Sequence, residues 1–224
     1  MNSKFEERRN ALVEYLICEG VLVTKEIIDA FRKVPREEFV PEELKDEAYI
    51  DIPLPIGEGQ TISQPTTVAI MTEALKPEKG NKILEVGAGS GYQAAILCEI
   101  VGEEGIVYTV ERLKKLYEFA KKNIEKCGYK NVKLFLGDGS IGLKEFAPYD
   151  RIIVTACAPK IPEPLISQLK DGGRMVIPVG RMYGIQKLLL IKKNGENIKE
   201  ENLGPFAFVP LIGKYGFKEW KTKQ

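Results

Sequence analysis

Three acidic residues, Glu85, Glu111 and Asp138, stand at or near the ends of three successive apolar segments of the chain. Each segment is short and rich in aliphatic residues, which is typical of a strand buried in a sheet. Ligands of open α/β sheets bind beyond the carboxyl ends of the strands, so these carboxylates are expected to meet at one edge. A single acid after a strand often only caps the next helix, but three at successive strands favour a ligand site.

A glycine-rich run, Gly87-Ala-Gly-Ser-Gly91, joins the first of these strands to a helix expected over residues 93–101. Glycine adopts backbone angles that a Cβ forbids, and it lets a ligand approach the main chain closely. Strand, glycine-rich turn and helix together open a nucleotide-type site, in which Gly87, Gly89 and Gly91 would contact the ligand. The alternative is that these glycines serve only a packing turn between strand and helix.

Spacing and charge indicate which ligand such a loop could hold. A dinucleotide fingerprint would need its third glycine where this chain has Tyr92, and Glu85 would repel a pyrophosphate but attract an ammonium group. S-Adenosylmethionine carries an amino group and a sulfonium but no phosphate, so its charge suits the loop. Glu111 follows at the spacing of an acid that accepts both ribose hydroxyls. Asp138 could accept the adenine amino group, and the Gly139 N–H could donate to the ring.

A loop rich in proline and glycine, residues 51–65, precedes a helix expected over residues 66–75. It brings the polar residues Thr61, Ser63 and Gln64 to a helix N-terminus, where free N–H groups attract carboxylates. The Ser63 hydroxyl could therefore help to bind an anionic substrate. The alternative is that it is only the capping hydroxyl of the helix.

Strand and helix patterns alternate through the middle of the chain, which predicts right-handed crossovers and a mostly parallel sheet covered by helices. An Asn194-Gly195 turn predicts a C-terminal hairpin that adds an antiparallel strand. Strands are expected at 83–86, 106–110, 132–136, 151–155, 174–179, 187–193 and 197–203, and helices at 5–19, 25–33, 66–75, 93–101, 113–127 and 164–169. The second helix begins after Thr24, which could cap it.

This order divides the chain into two segments. Residues 1–60 are interpreted as an N-terminal helical extension with a substrate-side loop, and residues 61–224 as a domain that binds S-adenosylmethionine and ends in the hairpin.

The composition restricts partners and chemistry. Of the 224 residues, 33 are Lys or Arg and 32 are Asp or Glu, so the net charge of +1 gives no indication of a nucleic-acid partner. No apolar run reaches membrane-spanning length and the N-terminus does not resemble a signal peptide, so we expect a cytoplasmic protein without a membrane partner. Histidine is absent and the four cysteines are widely spaced, so no metal site is expected. We expect a monomer.

Several motifs together are similar to those of a known enzyme family. Leu84-Glu-Val-Gly-Ala-Gly-Ser-Gly-Tyr92 looks like motif I of class I methyltransferases, which have a Rossmann-like, doubly wound α/β fold with a seven-stranded sheet. With Gln60-Thr-Ile-Ser-Gln-Pro65, Gly137-Asp-Gly139 and Phe208-Val-Pro-Leu-Ile-Gly213, nearly the whole chain resembles the protein-L-isoaspartate O-methyltransferase family.

The resemblance implies an activity and roles for individual residues. The family transfers a methyl group from S-adenosylmethionine to the free α-carboxylate of isoaspartyl residues in damaged proteins, and the ester then closes to a succinimide. By resemblance, Ser63 is the active-site serine, and Thr61, Ile62 and Ser63 meet the substrate carboxylate. Val209 and Leu211 match the segment that lines the peptide groove, and Gln186 matches a polar position near the cofactor.

This chemistry is compatible with a chain that lacks histidine. A carboxylate is already ionised at neutral pH, so it can act as a nucleophile without a general base. Two alternatives remain at this point. One is a different class I methyltransferase that acts on RNA or a small metabolite, and the other is a cofactor-binding or scaffold protein without catalytic activity.

Overall fold

The computed structural model describes residues 2–182 and 184–218, so residues 1, 183 and 219–224 of the two predicted segments lie outside it. The helices are α1 (Asn2–Cys18), α2 (Lys25–Lys33), α3 (Pro65–Leu75), α4 (Tyr92–Val101), α5 (Lys114–Lys126) and α6 (Glu163–Gln168). The strands are β1 (Leu54–Gly57), β2 (Gln60–Ile62), β3 (Lys82–Val86), β4 (Ile106–Glu111), β5 (Val132–Leu136), β6 (Tyr149–Val154), β7 (Leu169–Gly180), β8 (Gln186–Asn194) and β9 (Asn197–Phe206). Short 3₁₀ helices cover Arg36–Phe39, Glu42–Glu47, Gly139–Ile141 and Lys144–Phe146.

Seven strands form one sheet in the order β5-β4-β3-β6-β7-β8-β9. The pairs from β5 to β7 are parallel, whereas β8 is antiparallel to both of its neighbours. The chain order reverses between β3 and β6, and the crevice at such a switch point is where open α/β sheets bind ligands. The predicted doubly wound, mostly parallel sheet with an antiparallel C-terminal strand is confirmed.

The two faces of the sheet are buried in separate apolar clusters. On β3, Ile83 packs with α3, α4 and α5 on one face, and its neighbour Leu84 packs towards α6 on the other. Ile152 and Ile153 of β6 divide between the two clusters in the same way. Side chains of a strand alternate between faces, so continuous apolar runs are needed where both faces are covered.

The N-terminal helices pack into a third apolar cluster that they share with the rest of the chain. Leu16 of α1 and Ile27 of α2 are fully buried there, together with Val68 of α3 and Ile96 of α4. The predicted boundary between residues 60 and 61 falls inside strand β2. The division into two segments stays a prediction. None of the helices in the described part of the chain combines the length and the apolar character that a membrane span requires.

Two local features differ from the sequence predictions. Strands β1 and β2 form an antiparallel hairpin, where the sequence indicated only a loop, because the prolines and glycines of this short segment conceal the strand pattern. Thr24 precedes α2 as predicted, but its side chain does not cap the helix. The Thr24 hydroxyl donates instead to Glu73 of α3, which also accepts the Val23 and Thr24 backbone N–H groups, each at 2.8 Å.

The C-terminal hairpin turns one residue later than the sequence indicated. Asn194 still pairs with Asn197, so Gly195 and Glu196 form the turn, and Gly195 takes the left-handed φ of +61°. The Gly195 backbone N–H donates to Asp171 Oδ1 at 2.5 Å. This nitrogen is the atom that attacks the Asn194 side chain when an Asn-Gly pair deamidates with loss of ammonia.

Replacing Asp171 by Ala should therefore accelerate deamidation of Asn194 several-fold, because the attacking nitrogen loses its hydrogen-bond acceptor. D171N, whose amide oxygen can still accept, should stay close to the original rate. Mass spectrometry of aged protein gives both rates, with Asn197 in the same peptide as an internal control. Slower deamidation in both variants would contradict this expectation, because it would mean that the carboxylate acts as a base.

Candidate functional site

A cavity opens at the carboxyl ends of β3, β4 and β6, where the hairpin β1–β2 and the segment after β9 also meet. The predicted site residues that line it are Thr61, Ile62, Ser63, Glu85, Gly87, Gly89, Glu111, Gly139, Val209 and Leu211. Those that do not line it are Gly91, Asp138 and Gln186. The structure thus brings most of the predicted cofactor and substrate residues to one cavity.

A hydrogen bond from Thr155, the residue directly after strand β6, holds the glycine loop in place. Gly87 has a φ of +98°, and the Thr155 hydroxyl donates to its carbonyl oxygen at 2.7 Å. A Cβ at position 87 would lie 2.5 Å from that hydroxyl oxygen, so glycine is required for the close approach as well as for the φ. Gly91 is the N-cap of α4 with a φ of +89° and packs against Ile124. It therefore shapes the turn without lining the cavity.

Glu111 connects the end of β4 to the glycine loop. One of its oxygens accepts the Gly89 N–H at 3.0 Å and the other accepts the Leu113 N–H at 2.9 Å. The side chain is only 6% exposed, yet it lines the cavity. A carboxylate offers about four lone-pair positions, so both oxygens retain capacity for hydroxyl donors from a ligand.

Glu85 is a buried carboxyl group without full hydrogen bonding. Its Oε2 accepts from the Thr109 hydroxyl, while Oε1 has no partner among the residues that the structure describes. Burial raises the pKa of Glu85 to about 8, the Thr109 hydroxyl opposes this shift, and the Glu111 carboxylate adds to it. A buried acceptor that lines a cavity fits a ligand that brings a cationic donor.

Asp138 holds a neighbouring loop. Its Oδ1 accepts the N–H and the hydroxyl of Ser140, and its Oδ2 accepts the Lys214 N–H at 2.7 Å. Gly139 lies against β3, because a Cβ there would come 2.5 Å from Val86 Cγ1. The adenine contacts of Asp138 and Gly139 stay predictions.

Gln186 positions the segment after β9. Its amide donates to the Phe208 carbonyl at 2.9 Å and accepts the Phe208 N–H at 2.7 Å, while the whole side chain is buried. The next residues pair with Cys157, which bonds Val209 and Leu211 through the backbone at 2.8 and 2.7 Å. Gln186 thus acts on the Val209–Leu211 segment in this structure, and its predicted role near the cofactor stays a prediction.

Ser63 lies where two cavities adjoin. A second cavity next to the first is also lined by Ser63, together with Thr61, Thr155 and Val209. Among the described residues no hydrogen bond engages the Ser63 hydroxyl, so the capping alternative is wrong. The N-terminus of α3 is capped instead by Asp51, from a distance along the chain.

Three residues that support the site through hydrogen bonds were not among those predicted from the sequence. Asp51 accepts the Thr66 N–H at 2.8 Å and the Thr66 hydroxyl at 2.6 Å, and thereby caps α3. Thr155 anchors the glycine loop, and Arg36 donates to the Ser63 carbonyl at 2.8 Å. Only Thr155 had a local signal, its place directly after a buried strand. Within residues 2–182 and 184–218, no group of three acidic or cysteine side chains could hold a metal ion.

The site residues fit S-adenosylmethionine. The partnerless Glu85 Oε1 could accept its ammonium group, Glu111 has capacity for two hydroxyl groups, and the backbone near Gly87 permits close approach. Apolar side chains such as Ile62, Val86 and Leu116 complete the wall of the cavity. Among the described residues that line the cavity, Arg112 is the only basic one, which agrees with a ligand without phosphate.

Comparisons with known proteins agree on one family. Residues 7–216 match the model of the protein-L-isoaspartate(D-aspartate) O-methyltransferase family. The chain is 53% identical to the protein-L-isoaspartate O-methyltransferase of Staphylothermus marinus, over 98% of this chain and 100% of that one. It is 54% identical to the protein of the same name from Methanopyrus kandleri, over 96% of each chain.

Solved structures give the same result. One protein-L-isoaspartate O-methyltransferase superposes with a TM-score of 0.85 at 36% identity, over 93% of this chain and 67% of that one. A Plasmodium falciparum protein that is provisionally given this name, solved in complex with S-adenosyl-L-homocysteine, superposes with a TM-score of 0.80 at 28% identity. That match covers 90% of this chain and 97% of the other.

The buried carboxyl of Glu85 should make stability depend on pH. Its folded pKa of about 8 lies above the ordinary value of 4.5, so the folded state retains a proton that the unfolded state has lost. The contribution of Glu85 to the free energy of unfolding is present below the unfolded pKa and is lost as pH rises through the folded pKa, at up to about 1.4 kcal/mol per pH unit.

Compared with E85Q in the absence of cofactor, the original protein should therefore lose stability steadily between about pH 5 and about pH 8. Denaturant unfolding at several pH values measures this difference. E163Q, at a highly exposed position, is the control for the loss of a surface carboxylate. A difference between E85Q and the original protein that does not vary with pH would contradict the expectation.

Proposed function

This chain belongs to the protein-L-isoaspartate(D-aspartate) O-methyltransferase family, and we propose that it methylates the free α-carboxylate of isoaspartyl residues in damaged proteins, with S-adenosylmethionine as methyl donor. The ester then closes to a succinimide, whose hydrolysis returns some normal aspartate. The finer proposal is that the enzyme works as a monomer in the cytoplasm and does not bind nucleic acid or membranes.

One observation supports the proposal above all others. The Ser63 hydroxyl, which has no partner among the described residues, lines the same cavity as the buried acids Glu85 and Glu111. The acids suit a cationic donor molecule, and the hydroxyl suits a carboxylate acceptor. Because Ser63 also lines the adjoining cavity, a peptide could enter there and present its carboxylate to the cavity that contains Glu85 and Glu111.

The transfer itself is a single in-line displacement. When bound, S-adenosylmethionine supplies an electrophilic methyl group on a positively charged sulfur. A carboxylate oxygen of the isoaspartyl residue forms a bond to the methyl carbon while the carbon–sulfur bond breaks, and its electron pair remains on the sulfur. No proton moves in this step, so the protein needs no general base.

The residues of the site would serve alignment and exclusion of water. We assign Glu85 to the ammonium group and Glu111 to the ribose hydroxyls, with the Gly87–Gly91 loop against the amino-acid part of the cofactor. Thr61 and Ser63 would donate to the substrate carboxylate, with Ile62 as an apolar neighbour. Holding two reactants in line can contribute roughly 7–11 kcal/mol to lowering a barrier. Ser63 is therefore a positioning donor, since it has no base to make it a nucleophile.

Substrate choice tests the activity. The protein should methylate a peptide with one isoaspartyl residue far faster than its twin with a normal aspartyl residue, because only the former presents a free α-carboxylate. Transfer of a radioactive methyl group from S-adenosylmethionine measures both rates, with transfer RNA as a third acceptor. Equal labelling of the two peptides, or labelling of the RNA alone, would overturn the proposal.

Removing the Ser63 hydroxyl tests its role. S63A should lower kcat for the isoaspartyl peptide by about 10²-fold, because the carboxylate loses a donor that fixes its direction. Its affinity for S-adenosylhomocysteine should remain within about threefold of the original, as measured by calorimetry, because the acids that we assign to the cofactor are intact. S167A, an exposed serine on α6, is the control. An S63A protein with unchanged kcat would remove Ser63 from the reaction.

A further inference from the structure

We propose that Arg36 is a positioning residue for the methyl transfer, which fixes the backbone at Ser63 and thereby the direction of the Ser63 hydroxyl. The inference rests on the proposed function for its kinetic part, but its structural part can be tested without any turnover. Arg36 does not line the cavity, so it would act on the substrate only through Ser63.

Arg36 is unusual for the depth of its burial. It begins the 3₁₀ helix Arg36–Phe39, its side chain has no exposed surface, and it is the largest fully buried side chain in the described part of the chain. Burying a guanidinium costs several kcal/mol unless hydrogen bonds and nearby charges compensate, so a chain retains one only where the contacts are valuable. An apolar residue would fill the same volume at lower cost.

The contacts of Arg36 join three separate parts of the chain. Its Nε donates to the Ala48 carbonyl at 2.8 Å, and its Nη2 donates to the Ser63 carbonyl at 2.8 Å. The guanidinium carbon lies 4.8 Å from the ring centre of Tyr92, at the start of α4. Arginine has a rigid planar fork, so bonds from two of its nitrogens fix the relative position of both carbonyl groups.

The Ser63 segment is held by two independent clamps. Arg36 holds the Ser63 carbonyl, and Asp51 holds the next residues through the Gln64 amide at 3.0 Å and through both polar groups of Thr66. Fixing the peptide plane after Ser63 restricts ψ of this residue, while the start of α3 fixes the backbone beyond it. The hydroxyl is thus free of partners while its backbone is not, which is the condition that a preorganised donor requires.

The charge of Arg36 is not neutralised by an ion pair within residues 2–182 and 184–218, and its Nη1 has no partner among them. Burial lowers the pKa of the Arg36 guanidinium, whereas the neighbouring Tyr92 and Tyr49 and the Asp51 carboxylate raise it, and a guanidinium stays protonated at neutral pH. A positive charge behind Ser63 favours a carboxylate there over a neutral group. Arg36 would therefore assist both the placement and the binding of the substrate anion.

Two substitutions separate the effect of Arg36 on the placement of the substrate anion from its effect on the binding of that anion. R36K retains the positive charge but cannot bond two carbonyl groups with one planar fork, and R36M removes both. R151M is the matched control, because Arg151 is also largely buried and donates to the Lys76 and Asp150 carbonyls, but at the start of β6, the edge opposite the cavity. All three variants are compared for kcat and KM with the isoaspartyl peptide, for S-adenosylhomocysteine affinity, and for amide hydrogen exchange of residues 60–66.

We expect both Arg36 variants to lower kcat, with R36M down by about 10²-fold, and only R36M to raise KM for the peptide. Exchange over residues 60–66 should rise in both, while S-adenosylhomocysteine affinity changes by less than about threefold, and R151M should show none of these effects. A loss of S-adenosylhomocysteine affinity in parallel with kcat would indicate a merely structural role and would overturn the proposal.

Hydrogen exchange and methylation together distinguish failure of the Arg36 proposal from failure of the proposed function. If exchange over residues 60–66 is the same in R36M as in the original protein, Arg36 does not position Ser63, whatever the activity. If the original protein does not methylate the isoaspartyl peptide but exchange rises in R36M, the positioning holds and the proposed function falls.

Discussion

The site depends on the burial of charge-bearing groups that no ion pair neutralises within the described residues. Glu85 and Arg36 are both fully buried, carry opposite charges when ionised, and each leave one polar atom without a partner. Such groups are costly, and their cost is recovered when a ligand of opposite charge arrives. Glu85 lines the cavity and can meet a cationic ligand directly, whereas Arg36 does not line it and can act on an anion only through Ser63.

The central sheet holds the residues at its strand ends in fixed positions. Parallel strands β3, β4 and β6 end at one edge, so backbone register alone brings Glu85, Glu111 and Thr155 close together. The Thr155 hydroxyl then joins the glycine loop to β6 across the switch point. Sites built on strand ends hold their groups more firmly than sites built on loops, and the Ser63 loop compensates with its clamps from Arg36 and Asp51.

The sequence was informative where the signal is local and periodic. Strand β5 and helix α2 were predicted to the residue, because apolar spacing and the residues at their ends determine them. Glu85 and Glu111 were predicted as site residues from their places at strand ends together with the glycine-rich run, and both line the cavity. What the sequence could not indicate are partnerships between distant residues: Glu73 with Thr24, Asp51 with Thr66, and Arg36 with Ser63 are joined only by the fold. Gln186 was placed near the cofactor by resemblance alone, and its hydrogen bonds to the Phe208 backbone are another partnership that the sequence did not indicate.

The loop after β9 has a consequence for how the family can diverge. Asp138 and Ser140 hold this loop by the backbone N–H groups of Lys214 and Tyr215, so any residue except proline at these two positions can preserve the bonds. Gly213 has no such freedom, because a Cβ there would lie 2.0 Å from Asp138 Oδ1. Many different residues should therefore be accepted at positions 214 and 215, whereas position 213 should accept almost only glycine. Because the loop is held through its main chain, neighbouring positions can differ sharply in the substitutions that they allow.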